Sequence, residues 1–226
     1  FSLALYSGQM CTAPQNLLVP AAGIDTDQGH KSFAEVAAGI ALAIDQLLAD
    51  PERAAGVLGT IQDQAILARI AEARLLGEVV RDSAPVAVPG FPDAATASPL
   101  LVATDATRRD VYGEERFGPI AFLVRTAGTA ESIRIAAELA RGRGAITAAV
   151  YSRDPAVLDA AESAFAAAGV PLSENLTGGV FVNQSAAFSD YHVSGANPAG
   201  NACLTDAAFV ARRFNVVTIR RPAAAA

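Results

Sequence analysis

Apolar residues along this chain follow two patterns, short continuous runs and longer runs with a spacing of three to four residues. The short runs are typical of parallel strands that are covered on both faces. We place such strands at 16–20, 86–88, 100–103, 120–124, 146–151, 180–183 and 215–220. The longer runs predict helices, which we place at 33–48, 60–76, 130–141, 155–169 and 206–213.

The alternation of strands and helices predicts an α/β fold, a three-layer α/β/α domain with a mostly parallel sheet. We assign residues 1–213 to this domain and residues 214–226 to a terminal arm strand and tail. The pairs Arg212-Arg213 and Arg220-Arg221 flank that last strand. Basic flanks suit an edge strand that adds to the sheet of a partner subunit, so we expect an oligomerisation role.

Local signals mark where several of these elements begin and end. Ser32 with Glu35 forms a predicted capping box at the start of the first long helix. Asp154 caps a later helix that has Pro155 at its first position, and Gly8 ends a helix that covers the first five residues. Segments between the elements are expected to be loops, at 28–31, 83–99 around the short strand, and 105–113.

Composition narrows the classes of function. Apolar residues make up 52% of the 226 residues, and the formal net charge is −6, which argues against non-specific binding of nucleic acid. The two cysteines do not form a disulfide framework, and the two histidines have no zinc-site spacing relative to them. No run approaches the roughly 20 apolar residues of a membrane span. We therefore expect a cytoplasmic protein without a bound metal or a membrane partner.

The segment Ser7-Gly8-Gln9-Met10-Cys11-Thr12-Ala13-Pro14-Gln15-Asn16 carries the first candidate chemistry. Cys11 lies between the glycine turn and the first strand, where backbone N–H groups can point at a ligand. A thiol nucleophile needs such groups or a nearby base, because only the thiolate reacts. The alternative is a buried structural cysteine, which behaves as a small apolar residue.

Two further segments stand out. The segment Tyr112-Gly113-Glu114-Glu115-Arg116-Phe117-Gly118-Pro119 lies directly before a strand and, taken alone, is typical of a surface turn. The segment Gly178-Gly179-Val180-Phe181-Val182-Asn183 is followed by a loop that contains Phe188, Tyr191 and His192. Ordinary loop packing would also explain Phe188 and Tyr191.

These segments together resemble the aldehyde dehydrogenase superfamily, over essentially the whole chain. Residues 7–16 are similar to its catalytic cysteine segment, and Glu115-Arg116-Phe117-Gly118-Pro119 matches its Glu-x-Phe-Gly-Pro motif. The variant around Cys11 is most similar to one branch, the phenylacetic acid degradation protein (PaaN) branch. Two departures are that Arg116 replaces an aliphatic residue and that the loop after Phe188 lacks the usual double glycine.

The resemblance implies roles for single residues. Cys11 would be the catalytic nucleophile, and its backbone N–H would form half of the oxyanion hole. Glu115 would bind the ribose hydroxyls of the nicotinamide in NAD or NADP, and Phe117 would border the nicotinamide ring. Phe188 and Tyr191 would line the aldehyde tunnel.

The resemblance also implies an activity, oxidation of an aldehyde to a carboxylic acid in a homo-oligomer, a dimer or a tetramer. The branch implies a coenzyme A-linked ring-cleavage semialdehyde of aerobic phenylacetate catabolism as substrate. In this family the general-base glutamate, the oxyanion asparagine and the nucleotide-binding domain precede the cysteine segment. Because residue 1 is Phe within a predicted helix, we expect a fragment of a longer protein that is inactive alone.

Two other functions fit the residues. A cysteine-dependent acyl transferase or hydrolase would need a histidine near Cys11, and only His30 and His192 are candidates. A non-catalytic oligomerisation module would use only the arm strand. Cys203 is expected to be structural.

Overall fold

The structure is a computed structural model that describes residues 1–177, 217 and 219–223. The chain divides into two compact units, Phe1–Ser132 and Ile133–Ala226.

The first unit is built on a four-stranded sheet in the order β1 (Asn16–Pro20), β6 (Ile120–Thr126), β5 (Leu100–Asp105) and β4 (Glu78–Arg81). Strands β1, β5 and β6 are parallel and confirm the three predicted strands at these positions. The apolar runs in β5 and β6 are fully buried, as expected for strands covered on both faces. The pattern did not predict β4, an antiparallel edge strand whose first two residues are exposed.

A small antiparallel hairpin follows β1. It consists of β2 (Ile24–Thr26) and β3 (Gly29–Lys31), so the loop predicted over 28–31 is wrong. The His30 ring closes this hairpin, because Nδ1 lies 2.9 Å from Asp25 Oδ1 and Nε2 lies 2.8 Å from the Ala22 carbonyl oxygen. Side-chain contacts of this kind are not visible in an apolar pattern.

Helix α1 (Phe33–Leu47) confirms the first predicted helix and its capping box. The Ser32 N–H donates to Glu35 Oε2 at 2.7 Å, and the Glu35 N–H donates to Ser32 Oγ at 3.3 Å. The chain then forms α2 (Pro51–Leu58), which was not predicted, with Asp50 as its N-cap. The polar connection over 105–113 also contains a helical turn, α4 (Arg109–Tyr112).

Helix α3 (Ala65–Ala73) is shorter than the helix predicted over 60–76. The Ile61 N–H donates to the Ala95 carbonyl at 2.7 Å, so this residue is held outside the helix. Asp63 Oδ1 accepts from the Ala65 N–H at 2.9 Å and marks the helix start. Tertiary contacts therefore override the helical spacing in the first turn.

The strand predicted at 86–88 is wrong. The Thr96 hydroxyl accepts from the Val86 N–H at 2.6 Å and donates to the Val86 carbonyl at 2.7 Å, which replaces a strand partner with one side chain. The β-pairing seen in this stretch is an isolated antiparallel bridge between Val88 and Phe91.

The helix predicted over the first five residues is a series of turns instead, followed by a 3-10 helix at Leu5–Gly8. Within it, Tyr6 and Ser7 have left-handed backbone conformations with φ of 52° and 54°. Gly8 has φ of 63°, in agreement with the predicted left-handed glycine.

The core of the first unit lies between α1 and the parallel strands. Apolar residues from these elements and Leu3 form one buried cluster, which includes Val19, Phe33, Ala37, Ile44, Leu101, Ala103, Ala121 and Leu123. The Arg125 guanidinium lies 4.3 Å from the centre of the Phe33 ring and 2.9 Å from Asp105 Oδ1, at one end of this cluster.

The second unit contains a three-stranded parallel sheet, β7 (Ala148–Val150), β8 (Leu172–Glu174) and β9 (Ile219–Arg220). Two predicted helices are confirmed as α5 (Thr129–Arg143) and α6 (Pro155–Ala168). The Asp154 cap is present, since its Oδ1 accepts from the Ala156 N–H at 2.9 Å. Strand β8 was not predicted.

Three predicted features lie outside the described residues. They are the strand at 180–183, the helix at 206–213 and Cys203. Of the last predicted strand, Ile219–Arg220 pairs with β8 of the same chain, and Arg221 Nε donates to Glu174 Oε2 at 2.7 Å.

Among the described residues, no helix combines the length and the apolar character needed to cross a membrane.

Candidate active site

Cys11 lies in a tight turn between the left-handed segment and β1. The Ala13 N–H donates to the Met10 carbonyl at 3.0 Å, which closes the turn around Cys11 and Thr12. The thiol of Cys11 is exposed, whereas Thr12 is buried. The structure therefore contradicts the alternative in which Cys11 is a buried structural cysteine.

Gln9 anchors the entrance to this turn. Its Nε2 donates to the Tyr6 carbonyl at 2.8 Å and to the Thr60 carbonyl at 3.0 Å. Its Oε1 accepts from the Gln62 N–H at 2.8 Å. One side chain thus holds the strained Tyr6–Ser7 backbone against the connection between α2 and α3.

Gly8 brings the Cys11 segment against the segment before β6. A β-carbon at Gly8 would overlap the Gly118 carbonyl and lie 2.7 Å from the Cα of Pro119. Gly118 is confined as well, because a β-carbon there would lie 2.8 Å from Ile66 Cγ2. Gly8 is therefore needed for the close backbone approach, and Gly118 for its packing against Ile66.

Gln15 makes a second connection on the other side of Cys11. Its Oε1 accepts from the Arg116 N–H at 2.5 Å, and its Nε2 donates to the Glu114 carbonyl at 2.9 Å. The same Nε2 lies 3.4 Å from the Tyr112 carbonyl oxygen. The two peptide groups that flank Glu115 are therefore both bonded to one side chain.

Asn16 adds a third connection at the start of β1. Its Nδ2 donates to the Tyr112 carbonyl at 3.0 Å. Tyr112 is itself fully buried, and its hydroxyl donates to the Ala106 carbonyl at 2.6 Å. The first residue of the 112–119 segment is thus hydrogen-bonded to the first residue of β1.

Glu115 and Phe117 are both exposed on this segment, with Phe117 at 40%. Arg69 of α3 donates from Nη1 to the Phe117 carbonyl at 3.0 Å. The backbone around both residues is fixed by neighbours, while their side chains reach the solvent. Three of the five predicted site residues, Cys11, Glu115 and Phe117, thus lie on two segments that are bonded to each other.

The family model described as the aldehyde dehydrogenase family matches residues 1–201. This chain belongs to the aldehyde dehydrogenase family.

Named relatives agree with the family. The chain is 30% identical over 163 residues to a 3,4-dehydroadipyl-CoA semialdehyde dehydrogenase of Aromatoleum evansii, covering 69% of this chain and 30% of the relative. It is 30% identical over 156 residues to a vanillin dehydrogenase of Pseudomonas fluorescens, covering 68% of this chain and 29% of the relative. The chain therefore spans less than a third of the length of these curated relatives.

A solved structure is similar over most of the chain. The crystal structure of an NAD-dependent aldehyde dehydrogenase from Burkholderia multivorans is 54% identical and has a TM-score of 0.82. The match covers 95% of this chain and 38% of the other chain. The α/β fold with mostly parallel strands is the fold of an aldehyde dehydrogenase.

Two predicted site residues of this aldehyde dehydrogenase chain, Phe188 and Tyr191, lie outside the described residues, and so does His192. His30 is described, and its two ring nitrogens are bonded to Asp25 of β2 and to the Ala22 carbonyl just before it. This arrangement disfavours His30 as a base for Cys11. Within the described part of the chain, no group of three or more His, Cys, Asp or Glu side chains is arranged to hold a metal ion.

Sequence reasoning did not identify Gln9 and Gln15 as residues that build the site. Their positions in the sequence could have indicated this role, because both glutamines lie within four residues of Cys11 in a segment without regular structure. A primary amide can donate and accept at the same time, so it can bond to the backbone where no strand partner is present. Their partners, however, lie about fifty and one hundred residues further along the chain.

Proposed function

We propose that this chain carries the nucleophile and part of the cofactor site of an NAD- or NADP-dependent aldehyde dehydrogenase. The observation that carries the proposal is the double connection of the Cys11 segment to the Glu115–Phe117 segment. Gly8, which precedes Cys11 in the chain, and Gln15, which follows it, make that connection. Family membership supplies the reaction class.

In the proposed reaction the Cys11 thiolate attacks the aldehyde carbon and forms a thiohemiacetal. A backbone N–H at Cys11 would stabilise the oxyanion, and one donor of this kind is worth about 3–4 kcal/mol in the transition state. Loss of hydride leaves a thioester on Cys11. Water then cleaves the carbon–sulfur bond, which releases the carboxylic acid and regenerates the thiol.

Glu115 and Phe117 are the residues on this chain that would hold the cofactor. An ionised carboxylate can accept hydrogen bonds from both hydroxyls of a ribose, and an exposed aromatic ring can border the nicotinamide. Both side chains are exposed on a fixed backbone, so the residues present fit this use. When bound, NAD or NADP supplies the hydride acceptor.

For the substrate we propose a coenzyme A-linked ring-cleavage semialdehyde of phenylacetate degradation. The similarity of residues 7–16 to the PaaN branch supports this choice, as does the printed name of the Aromatoleum evansii relative. Vanillin dehydrogenase matches at the same identity and favours a free aromatic aldehyde instead. A comparison of kcat/KM for a coenzyme A-linked semialdehyde and for vanillin separates the two classes.

We further propose that the intact protein is a homo-oligomer that uses residues 214–226 as an arm. The basic flanks of the last strand support this proposal, and addition to a partner's sheet would replace the pairing of Ile219–Arg220 with β8 of the same chain. Light scattering of the full-length protein, with and without residues 214–226, tests it. A monomer in both cases would contradict the proposal.

The test of the reaction uses the full-length gene product and Cys11→Ser, with Cys203→Ser as the matched control. We expect Cys11→Ser to abolish aldehyde-dependent reduction of NAD or NADP and to remove the peptide that iodoacetamide labels. Cys203→Ser should retain both. Full activity in Cys11→Ser would overturn the proposal, and an unlabelled Cys11 in an inactive wild type would favour an oligomerisation module.

The acyl transferase or hydrolase alternative has its own test. His30→Ala and His192→Ala should leave thioester hydrolysis by the full-length protein unchanged if neither histidine is the base for Cys11. A large loss in either variant would favour that alternative. We also expect the 226 residues alone to be inactive, because they align with only 38% of the Burkholderia multivorans enzyme.

A further inference from the structure

The side-chain amide of Gln15 pairs with the backbone on both sides of Glu115. Its Oε1 accepts from the Arg116 N–H at 2.5 Å, and its Nε2 donates to the Glu114 carbonyl at 2.9 Å. A neighbouring strand bonds to a residue in the same way, through the carbonyl before it and the N–H after it. One side chain thus replaces a strand partner for a single residue, Glu115.

Gln15 is itself held in place. Its carbonyl accepts from the Phe122 N–H at 2.7 Å, next to the first residue of β1, so the backbone of Gln15 is fixed to β6. The amide therefore extends from a parallel sheet rather than from a mobile loop. Gln15 therefore links the two peptide groups beside Glu115 directly to that sheet, while Asn16 and Arg69 hold the segment at Tyr112 and Phe117.

Few side chains can replace this amide. A carboxylate at position 15 could accept from the Arg116 N–H, but it could not donate to the Glu114 carbonyl, and two oxygens would face each other. An apolar side chain of similar length could do neither. The geometry requires one donor and one acceptor on the same planar group.

We propose that Gln15 is a positioning residue for the nicotinamide cofactor, acting through Glu115. The inference rests on the proposed function, because Glu115 has the ribose hydroxyls as its partners there. If Gln15 aligns Glu115, its loss will weaken cofactor binding more than it affects the reaction of the thiol with the aldehyde. A residue that only stabilised the fold would not separate these two effects.

Asn16 provides a matched control. It is the next residue, it also carries an amide, and its Nδ2 donates to the Tyr112 carbonyl at 3.0 Å, which Gln15 Nε2 also approaches at 3.4 Å. This bond lies three residues before Glu115 and contacts neither of its peptide groups. Loss of the Asn16 amide should lower stability without a specific effect on the cofactor.

The experiment measures KM for NAD and for the aldehyde, and kcat, in full-length wild type, Gln15→Glu, Gln15→Met and Asn16→Ala. One lost backbone hydrogen bond corresponds to about a fivefold change and two lost bonds to at least about tenfold. We expect KM for NAD to rise in the order wild type, Gln15→Glu, Gln15→Met. The KM for the aldehyde should stay within about threefold, which is the spread of minor rearrangements. Asn16→Ala should keep the wild-type KM for NAD.

A second readout does not need activity. Hydrogen exchange of the Arg116 amide, measured by mass spectrometry or NMR, should be protected in wild type and in Gln15→Glu but not in Gln15→Met. Unchanged protection in Gln15→Met, or an unchanged KM for NAD in both Gln15 variants of an active enzyme, would overturn the inference. An inactive wild type with the expected exchange pattern would instead count against the proposed function.

Discussion

Gly8 lies directly against the Gly118 carbonyl, so the segment that carries Cys11 and the segment that carries Glu115 meet backbone to backbone. Neither glycine tolerates a side chain there, since Gly8 has φ of 63° and Gly118 has φ of 139°. Residues more than one hundred positions apart thereby form one surface. The approach fixes the separation of the proposed nucleophile, Cys11, from the proposed cofactor residues, Glu115 and Phe117.

Gly8→Ala should be strongly destabilising, because the new β-carbon would overlap the Gly118 carbonyl and because the left-handed backbone is strained for alanine. We expect a loss of about 3 kcal/mol in the free energy of unfolding. Urea-induced unfolding measures the loss. Gly90→Ala is the matched control, since Gly90 has φ of 80° but nothing near its missing β-carbon, and it should cost only about 1 kcal/mol. Equal losses in the two variants would mean that the contact with Gly118 has no energetic role.

Glu115→Gln should weaken cofactor binding in the full-length protein, because a neutral amide is a poorer acceptor for ribose hydroxyls than a carboxylate. We expect KM for NAD or NADP to rise by about tenfold, the equivalent of about 1.4 kcal/mol. Steady-state kinetics at saturating aldehyde measures this change. Glu114→Gln, one residue earlier, should have a smaller effect. A larger effect at Glu114 would reassign the cofactor contact to that residue.

The His30 pairing should make the stability of the β2–β3 hairpin depend on pH. The hydrogen bond to Asp25 raises the pKa of His30 above its ordinary value of 6.5, with further contributions from the Ala22 carbonyl and the charges of Asp25 and Glu35, while desolvation opposes them. Because the folded-state pKa is raised, the stabilisation is present below the unfolded pKa and is lost as pH rises through the folded one. Lys31, which follows His30 in β3, is the positively charged side chain next to it along the strand.

NMR titration of His30 in wild type and in Asp25→Asn measures this effect. We expect the pKa of His30 to fall in Asp25→Asn, and His30→Ala to destabilise the protein more at pH about 5.5 than at pH about 8.5. A pKa that does not respond to Asp25→Asn would show that the pairing is absent in solution.

Ser32→Ala should remove the capping box of α1. The Ser32 hydroxyl accepts from the Glu35 N–H at 3.3 Å and donates to Glu35 Oε2 at 2.7 Å. N-cap substitutions of this kind cost about 1 kcal/mol. Thermal unfolding should show the loss, whereas Ser163→Ala, within the exposed face of α6, should be neutral or slightly stabilising.

The same capping box should have its own pH dependence. Hydrogen bonds from the Ser32 side chain and backbone lower the pKa of Glu35. A lowered folded-state pKa means that the stabilisation is present above the unfolded pKa and is lost as pH falls through the folded one. The difference in stability between wild type and Ser32→Ala should therefore shrink in acid, and a constant difference from neutral pH to acid would contradict this mechanism.

Elements that depend on local chemistry were predictable. The buried strands β1, β5 and β6, the capping box of α1 and the Asp154 cap of α6 follow from runs of apolar residues and from capping residues that act over three or four positions. The hairpin at β2–β3, the edge strand β4 and the short α3 were not predictable in this way. The boundaries of β4 and α3 depend on partners such as Ala103 and Ala95, which lie elsewhere in the chain. The hairpin is closed by a contact between the His30 and Asp25 side chains, which an apolar pattern does not show.

The sequence by itself determined which residues we propose to carry chemistry, because a cysteine and a Glu-x-Phe-Gly-Pro motif are identifiable by residue type and order. Only the tertiary structure decided that the thiol is exposed and that Gln15 holds the backbone on both sides of Glu115. The physical reason is distance along the chain. Periodicity and capping act within a few residues, whereas a side-chain amide that meets a backbone one hundred residues away is placed by the packing of parallel strands.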